Sequence, residues 1–275
     1  RLVISKEKFI RPIFSDFFTY VFFFITFFFF YGEQNVNLDK VFLILTISFF
    51  IGSLCNISSI FSLNFKLENF ISTTKKNWVL SKWLVLTSVT GWFSRNLWII
   101  SVGAILGPYI FGIVRSCQII LNFKNVFLQS LENIFPATTS KIYINEGKIN
   151  MKNYINQLLI KGLIVSFVLI LIVIFFSQFI LELIYGIEVA EYSWILMILA
   201  IIIPIEYIKY PPTYALRTIE KTKPIFISLL ISSIFALIAA RPIIQNFEIN
   251  GLLFGLIFTE LLSSIVIYTS FLYFV

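Results

Sequence analysis

Apolar and polar positions alternate on two scales along this chain. On the coarse scale there are eight long apolar runs, at about residues 12–31, 41–63, 83–105, 108–135, 158–181, 192–210, 224–243 and 251–273, separated by short polar stretches. Runs of roughly twenty residues match a bilayer core of ~30 Å at ~1.5 Å per helical residue, so the pattern predicts eight transmembrane helices. On the fine scale the fourth run differs from the rest. Its polar residues Arg115, Gln118, Asn122, Asn125, Gln129 and Glu132 recur at alternating steps of three and four, one stripe down a single helix whose other face is Ile, Val, Leu and Phe. With Pro108 opening it and Pro136 closing it, this helix is expected to run unbroken for about 42 Å. A helix with a full-length polar stripe must turn that stripe toward protein or water, so it is expected to form one wall of a substrate cavity.

The connections refine the picture. Leu106, Gly107 and Pro108 leave room only for a tight turn between the third and fourth runs. Residues 64–82 (NFKLENFISTTKKNWVLSK) read as a basic cytoplasmic linker, partly an amphipathic surface helix, with Trp78 and Trp83 suited to a membrane interface. PATTSKIYINEGKINMKNY, after Pro136, reads as a polar basic loop. Pro204, Pro211 and Pro212 predict breaks in the sixth run. In the last run Gly251, Gly255, Thr259 and Ser263 make a small-residue face that lets a neighbouring helix approach closely.

Composition excludes a soluble domain: 59% of residues are hydrophobic, 13% are charged and the mean hydropathy is +0.93. The 33 Phe follow a biased composition rather than an aromatic device, and Cys55 and Cys117 fall inside spans as spectators. The net charge of +7 reflects loops rather than nucleic-acid binding. Segments 1–12, 64–82, 136–161 and 211–224 hold fifteen Lys and Arg, whereas the alternate set, 32–40, 106–108, 182–191 and 241–250, holds only Lys40 and Arg241. That asymmetry places both ends of the chain in the cytoplasm. The chain opens on Arg1 with no signal peptide, and it reads as a piece of a longer protein.

Ionisable residues inside the runs are Asp16, Arg95, Arg115, Lys124, Glu132, Glu206, Lys209 and Glu260. Each costs ~2.5–3.5 kcal/mol at the bilayer centre on the lenient insertion scale, so each needs a partner or an aqueous cavity. Glu206 and Lys209, three apart, are expected to neutralise each other, and Asp16 completes a helix dipole or snorkels. Arg95, Arg115 and Lys124 share the third and fourth runs with only Glu132 to offset them. Guanidinium groups suit phosphate oxygens, and the amides Gln118, Asn122, Asn125 and Gln129 suit hydroxyls, so the expected ligand is a sugar carrying a phosphate or diphosphate. The alternatives are snorkelling for the arginines and helix-to-helix glue for the amides. There is no nucleotide-binding loop and no His, and no outward connection exceeds about ten residues. No catalytic residue, metal site or cofactor is therefore expected, and energy would come from a gradient of H+ or Na+ or of substrate, with Glu132 or Glu260 as ion carriers.

The stretch GPYIFGIVRSCQIILNFKNVFLQSLENIFPATTSKIY resembles the eighth helix of bacterial O-antigen and polysaccharide flippases, in the multidrug, oligosaccharidyl-lipid and polysaccharide exporter superfamily. LIYGIEVAEYSWILMILA, YALRTIEKTKPIFIS and NFEINGLLFGLIFTELL are similar to later parts of the same proteins in the same order, so the resemblance covers about residues 78–275. It implies an all-α integral membrane protein of the bacterial inner membrane, with residues 83–275 as a C-terminal six-helix lobe, 64–82 as the linker and 1–63 as the last two helices of an N-terminal lobe. The implied function is translocation of an undecaprenyl-diphosphate-linked oligosaccharide by alternating access, with no bond broken and with polysaccharide polymerases as possible partners. Arg95, Arg115, Gln118 and Asn122, with Lys124, are the positions carried over as cargo-binding. The rivals are a multidrug exporter of the same fold, which should favour carboxylates in its lumen, a membrane glycan polymerase or ligase, which should carry a long outward loop, and a non-functional remnant.

Overall fold

The computed structural model describes residues 10–31, 38–54 and 67–275. The described residues form helices and no strand: α1 (Ile10–Tyr31), α2 (Leu38–Leu54), α3 (Leu67–Ile105), α4 (Pro108–Leu121), α5 (Phe123–Tyr185), α6 (Ile187–Ala190), α7 (Ser193–Ala200), α8 (Ile202–Thr218) and α9 (Lys223–Phe274). The basic opening up to Phe9, the turn 32–37, and the end of the second run with Cys55 lie outside the described residues. Two compact units emerge, Arg1–Thr74 and Lys75–Val275, and their boundary falls within α3.

In the first unit α1 packs along α2, with Thr19 and Ser48 buried. The Ser48 hydroxyl donates to the Ile44 carbonyl at 2.7 Å, the local bond by which a hydroxyl is satisfied inside an apolar helix. Asp16 is exposed near the start of α1.

Three helical stretches of the second unit are long and apolar enough to cross a membrane: Pro108–Tyr185, Ser193–Thr218 and Lys223–Phe274. Two of them bend sharply, α5 at Gly147 (φ 84) and α9 at Glu248 (φ 50). Their outer faces carry Phe175, Leu237, Ile238 and Phe254, each at least 69% exposed, so apolar surface faces outward as lipid requires.

Inside, Trp98 of α3 is completely buried. Its indole Nε1 donates to Thr259 Oγ1 at 2.9 Å, Thr259 donates onward to the Gly255 carbonyl at 2.7 Å, and Ser232 Oγ donates to the Thr259 carbonyl at 3.1 Å. The indole lies over Gly255, where an added Cβ would sit 2.2 Å from the ring. The small-residue face of the last run therefore does admit a neighbour closely, and the neighbour is an aromatic ring.

Four expectations fail, each for a local reason. The fourth run is not one regular helix: between α4 and α5, Asn122 keeps helical angles (φ −64°, ψ −14°) but shares its N–H between the carbonyls of Gln118 and Ile119 at 3.1 Å each. Pro136 does not close the helix but lies inside α5. The stretch after Pro136 is helical up to the bend at Gly147 and beyond, not a loop: Ile142 and Tyr143 before the bend, and Met151, Ile155 and Leu159 after it, pack in one cluster with Ala215 and Phe271. The sixth run breaks at Ile201, ahead of Pro204, and not at Pro211 and Pro212, which α8 passes through to Thr218. Pro204 sits in the first turn of α8, where its missing N–H disrupts least.

The turns sort into two ends. Trp83, Thr222 and Phe274 line one cavity, and Lys148 Nζ donates to the Phe274 carbonyl at 3.2 Å. At the other end Tyr109 and Tyr192 meet edge to face, 6.4 Å between ring centroids.

Because Trp98 has no room to retreat, Gly255→Ala is expected to cost about 1–3 kcal/mol by overpacking. Thr259→Val, which removes the indole's acceptor without adding bulk, is expected to cost about 1–3 kcal/mol. Unfolding of the detergent-solubilised protein, followed by tryptophan fluorescence, measures both.

Candidate functional site

A cavity of about 330 Å³ opens where α3, α4, α5, α7, α8 and α9 converge. α3 contributes Arg95, Asn96 and Ile99. Arg115 and Gln118 come from α4, Asn122 from the junction that follows, and Lys124 and Asn125 from the first turn of α5. Glu206 of α8 and Glu260 of α9 close the far side, with Leu199, Ile202 and Leu256 between the polar groups. The polar stripe continues through Asn122 around the cavity: Arg115 Nη1 donates to Gln118 Oε1 at 3.0 Å, and Asn125 Nδ2 donates to Asn122 Oδ1 at 3.2 Å.

The charges pair across helices. Lys124 Nζ bonds Glu206 Oε2, joining α5 to α8, and Lys209 Nζ bonds Glu260 Oε2, joining α8 to α9. Arg95 Nη1 stands 4.0 Å from Glu206 Oε1, so this carboxylate lies between two cations. Glu206 is 4% exposed at its side chain, whereas Arg95 is 60% exposed. The expected Glu206–Lys209 pair does not form. Residues three apart on a helix point in similar directions, but here each side chain reaches a complementary charge on a neighbouring helix. The expectation that only Glu132 offsets the cations is likewise corrected, because Glu206 comes in from α8.

Counting what each pair uses leaves an excess. Lys124 and Lys209 each hold a carboxylate at bonding distance, whereas among the described residues Arg95 and Arg115 hold none that close. Both surplus charges are guanidinium groups, and both line the cavity.

Of the residues picked out from the sequence, the structure brings Arg95, Arg115, Gln118, Asn122, Lys124, Asn125 and Glu260 around one cavity and leaves Gln129 and Glu132 outside its lining. Gln129 is exposed on α5, and Glu132 is half-buried less than a turn further along. Sequence reasoning missed Asn96 and Glu206 as lining residues. Asn96 adjoins Arg95, and its Nδ2 donates to the Trp92 carbonyl at 2.9 Å. Glu206 was visible as an ionisable residue inside a span, and matching carboxylates to cations between helices rather than within one would have found it. Cys117 is buried and free.

The geometry predicts specific couplings. Lys209→Met or Glu260→Leu alone leaves a buried charge and is expected to cost about 3–5 kcal/mol, while the double variant recovers most of that loss. Lys124 and Glu206 should couple in the same way, and Glu206 with Lys209 much less. Double-mutant cycles on unfolding in detergent measure all three.

No family model and no solved structure matches the chain. A search of curated proteins finds a relative named "Capsular polysaccharide biosynthesis protein CapF" from Staphylococcus aureus, 24% identical over 170 residues. That alignment takes in 61% of this chain and 43% of the relative, so the chain spans less than half the length of the curated protein it matches. The chain is thus distantly similar to a protein of capsular polysaccharide biosynthesis, and it is built of helices long and apolar enough to span a membrane.

Proposed function

We propose that this chain is part of a flippase that carries an undecaprenyl-diphosphate-linked oligosaccharide across the bacterial inner membrane by alternating access. The observation that carries the proposal is the cationic surplus of Arg95 and Arg115 in a cavity enclosed by apolar helices. A guanidinium with no carboxylate at hydrogen-bonding distance is costly within a bilayer unless an anion visits it, and a diphosphate offers oxygens to both guanidinium forks. The distant likeness to a capsular polysaccharide biosynthesis protein supports the same class of cargo.

In this mechanism Arg95 and Arg115 receive the diphosphate, and Lys124 joins them when the incoming anion displaces Glu206. The amides Gln118, Asn122 and Asn125 hold sugar hydroxyls, and the lipid tail stays in the bilayer. No covalent bond changes, so the protein acts as a transporter and not as an enzyme. Each carboxylate released from its lysine is a place for H+ or Na+ to ride, which makes Glu206 and Glu260 better placed for coupling than Glu132. The reading takes eight spans, with α5 and α9, at 63 and 52 residues, each divided in two at Gly147 and Glu248. Undivided, they would reach about 95 Å and 78 Å, far beyond a bilayer. The meeting of segments 82–83, 148, 220–224 and 270–274 at one end supports the sidedness inferred from charge, with that end in the cytoplasm. Polysaccharide polymerases are the partners such cargo would meet on the far side.

A multidrug exporter of the same architecture is the second reading, favoured by one observation: two carboxylates, Glu206 and Glu260, line the cavity. Both are held by lysines, which leaves the lumen net basic and unwelcoming to lipophilic cations.

Arg95→Ala and Arg115→Ala, introduced separately into the gene in cells that depend on it for surface polysaccharide, are each expected to cut surface polymer at least tenfold with the protein still in the membrane. Full polymer in both variants overturns the diphosphate reading, and resistance to a panel of lipophilic cations that is lost with Glu206→Gln would establish the exporter instead.

A further inference from the structure

A second cavity lies at the end of the second unit where α3, the α8–α9 turn and the end of α9 meet. Its volume is about 530 Å³, larger than that of the central cavity, and it shares no residue with it. Its floor is apolar and aromatic, formed by Trp83, Pro224, Ile227 and Phe274. Its rim is basic. Lys221 and Lys223 line it, and Lys82 stands beside Trp83.

Rings hold these lysines in place. Lys82 Nζ lies 5.5 Å and Lys223 Nζ 5.7 Å from the centre of the Trp83 ring, from two different helices, while Lys221 Nζ lies 5.7 Å from the centre of the Phe274 ring. An aromatic face attracts an ammonium without neutralising it, so the charge remains available to an anion. Glu220 is the one carboxylate lining the cavity, set against three ammonium groups, and none of the three is in an ion pair among the described residues.

The combination is amphiphilic. A soluble anion would use the rim and leave the floor wet, and a neutral lipid would use the floor and leave the lysines unanswered. A phosphodiester carried on acyl chains uses both, and basic pockets between helices near the membrane surface suit such headgroups. Trp83 fits that depth, since indole rings favour the interface between acyl chains and water.

We propose that this groove binds one anionic phospholipid, its phosphodiester held by Lys82, Lys221 and Lys223 and its acyl chains lying against Trp83, Ile227 and Phe274. The site is separate from the cavity assigned to cargo. It ties the middle of α3 to the α8–α9 turn, so a bound lipid braces two elements that chain connectivity alone leaves far apart.

The test is a native mass-spectrometric titration of the delipidated protein with phosphatidylglycerol, with phosphatidylcholine of the same chains, and with the water-soluble headgroup glycerophosphoglycerol. Phosphatidylglycerol is expected to bind at least tenfold tighter than the other two. K82Q/K221Q/K223Q is expected to abolish that preference, K221Q/K223Q to reduce it partway, and the charge-matched variant K141Q/K152Q/K161Q, which changes lysines outside the groove, to keep it. Equal binding of the two lipids, an unchanged preference in the groove variant or an equal loss in the charge-matched variant each overturns the proposal. Binding of the soluble headgroup as tight as that of the lipid also overturns it, by making the groove a site for free phosphate esters. Thermal unfolding of each variant before titration confirms that it is folded.

Discussion

Glu206 is the group on which the second unit's interior depends. A carboxylate 4% exposed and remote from water is tolerable only if cations come to it, and Lys124 and Arg95 arrive from two different helices to do so. That requirement fixes where α3, α5 and α8 stand relative to one another at that depth. Two local helix irregularities lie nearby. Asn122 stands two residues before Lys124 and Ile201 five residues before Glu206, both with helical backbone angles. Backbone irregularity is tolerated in lipid where protein or a cavity covers it, and both border the cavity's lining.

Around this polar centre the packing is stiff on one side. Trp98, Gly255 and Thr259 lock α3 to α9 by shape and by a chain of hydrogen bonds, and Ser233 Oγ adds a bond at 2.7 Å to the Thr90 carbonyl. Lys209–Glu260 joins α8 to α9 one residue beyond Thr259, about 100° further round the helix. Ser264 Oγ, donating to the Ile205 carbonyl at 2.8 Å, repeats that connection one turn on. α9 therefore acts as a spine, with α3 and α8 fastened to it by polar contacts rather than by apolar burial alone. In lipid, where tails compete equally well for apolar surface, such contacts and close backbone approach are what hold helices together.

Much of this was legible because lipid imposes strict rules on sequence. The helical class followed from run length. The polar stripe from Arg115 to Asn125 faces a cavity because amides and cations at three- and four-residue spacing have few other places to go. What escaped was decided between helices. A periodic pattern cannot show that Lys124 reaches Glu206 while Lys209 reaches Glu260, because the partners sit on different helices and only the stagger of α5, α8 and α9 selects among them. Pro136 misled for a related reason. Proline is a strong stop in water, but with Met151, Ile155 and Leu159 binding the following stretch to Ala215 and Phe271, continuing the helix was the better outcome. The turn at Leu106–Gly107 was legible because two residues between helices permit few geometries.

One regularity in the cavity links its electrostatics to its chemistry. Both cations at hydrogen-bonding distance of a carboxylate are lysines, whereas Arg95 stands 4.0 Å from Glu206 and Arg115 bonds the Gln118 amide. The division suits the two groups. A lysine ammonium is a compact point charge that a single carboxylate answers, and leaving it bare in a low dielectric invites deprotonation. A guanidinium spreads its charge over a plane, is less strongly hydrated and keeps its proton, so it can stand at a cavity edge with its fork open. Exchanging the two types would put compact point charges where an open fork now stands and planar forks where a single contact suffices. The existing arrangement leaves the planar charges of Arg95 and Arg115 on the cavity lining and sets each compact charge, Lys124 and Lys209, against a single carboxylate.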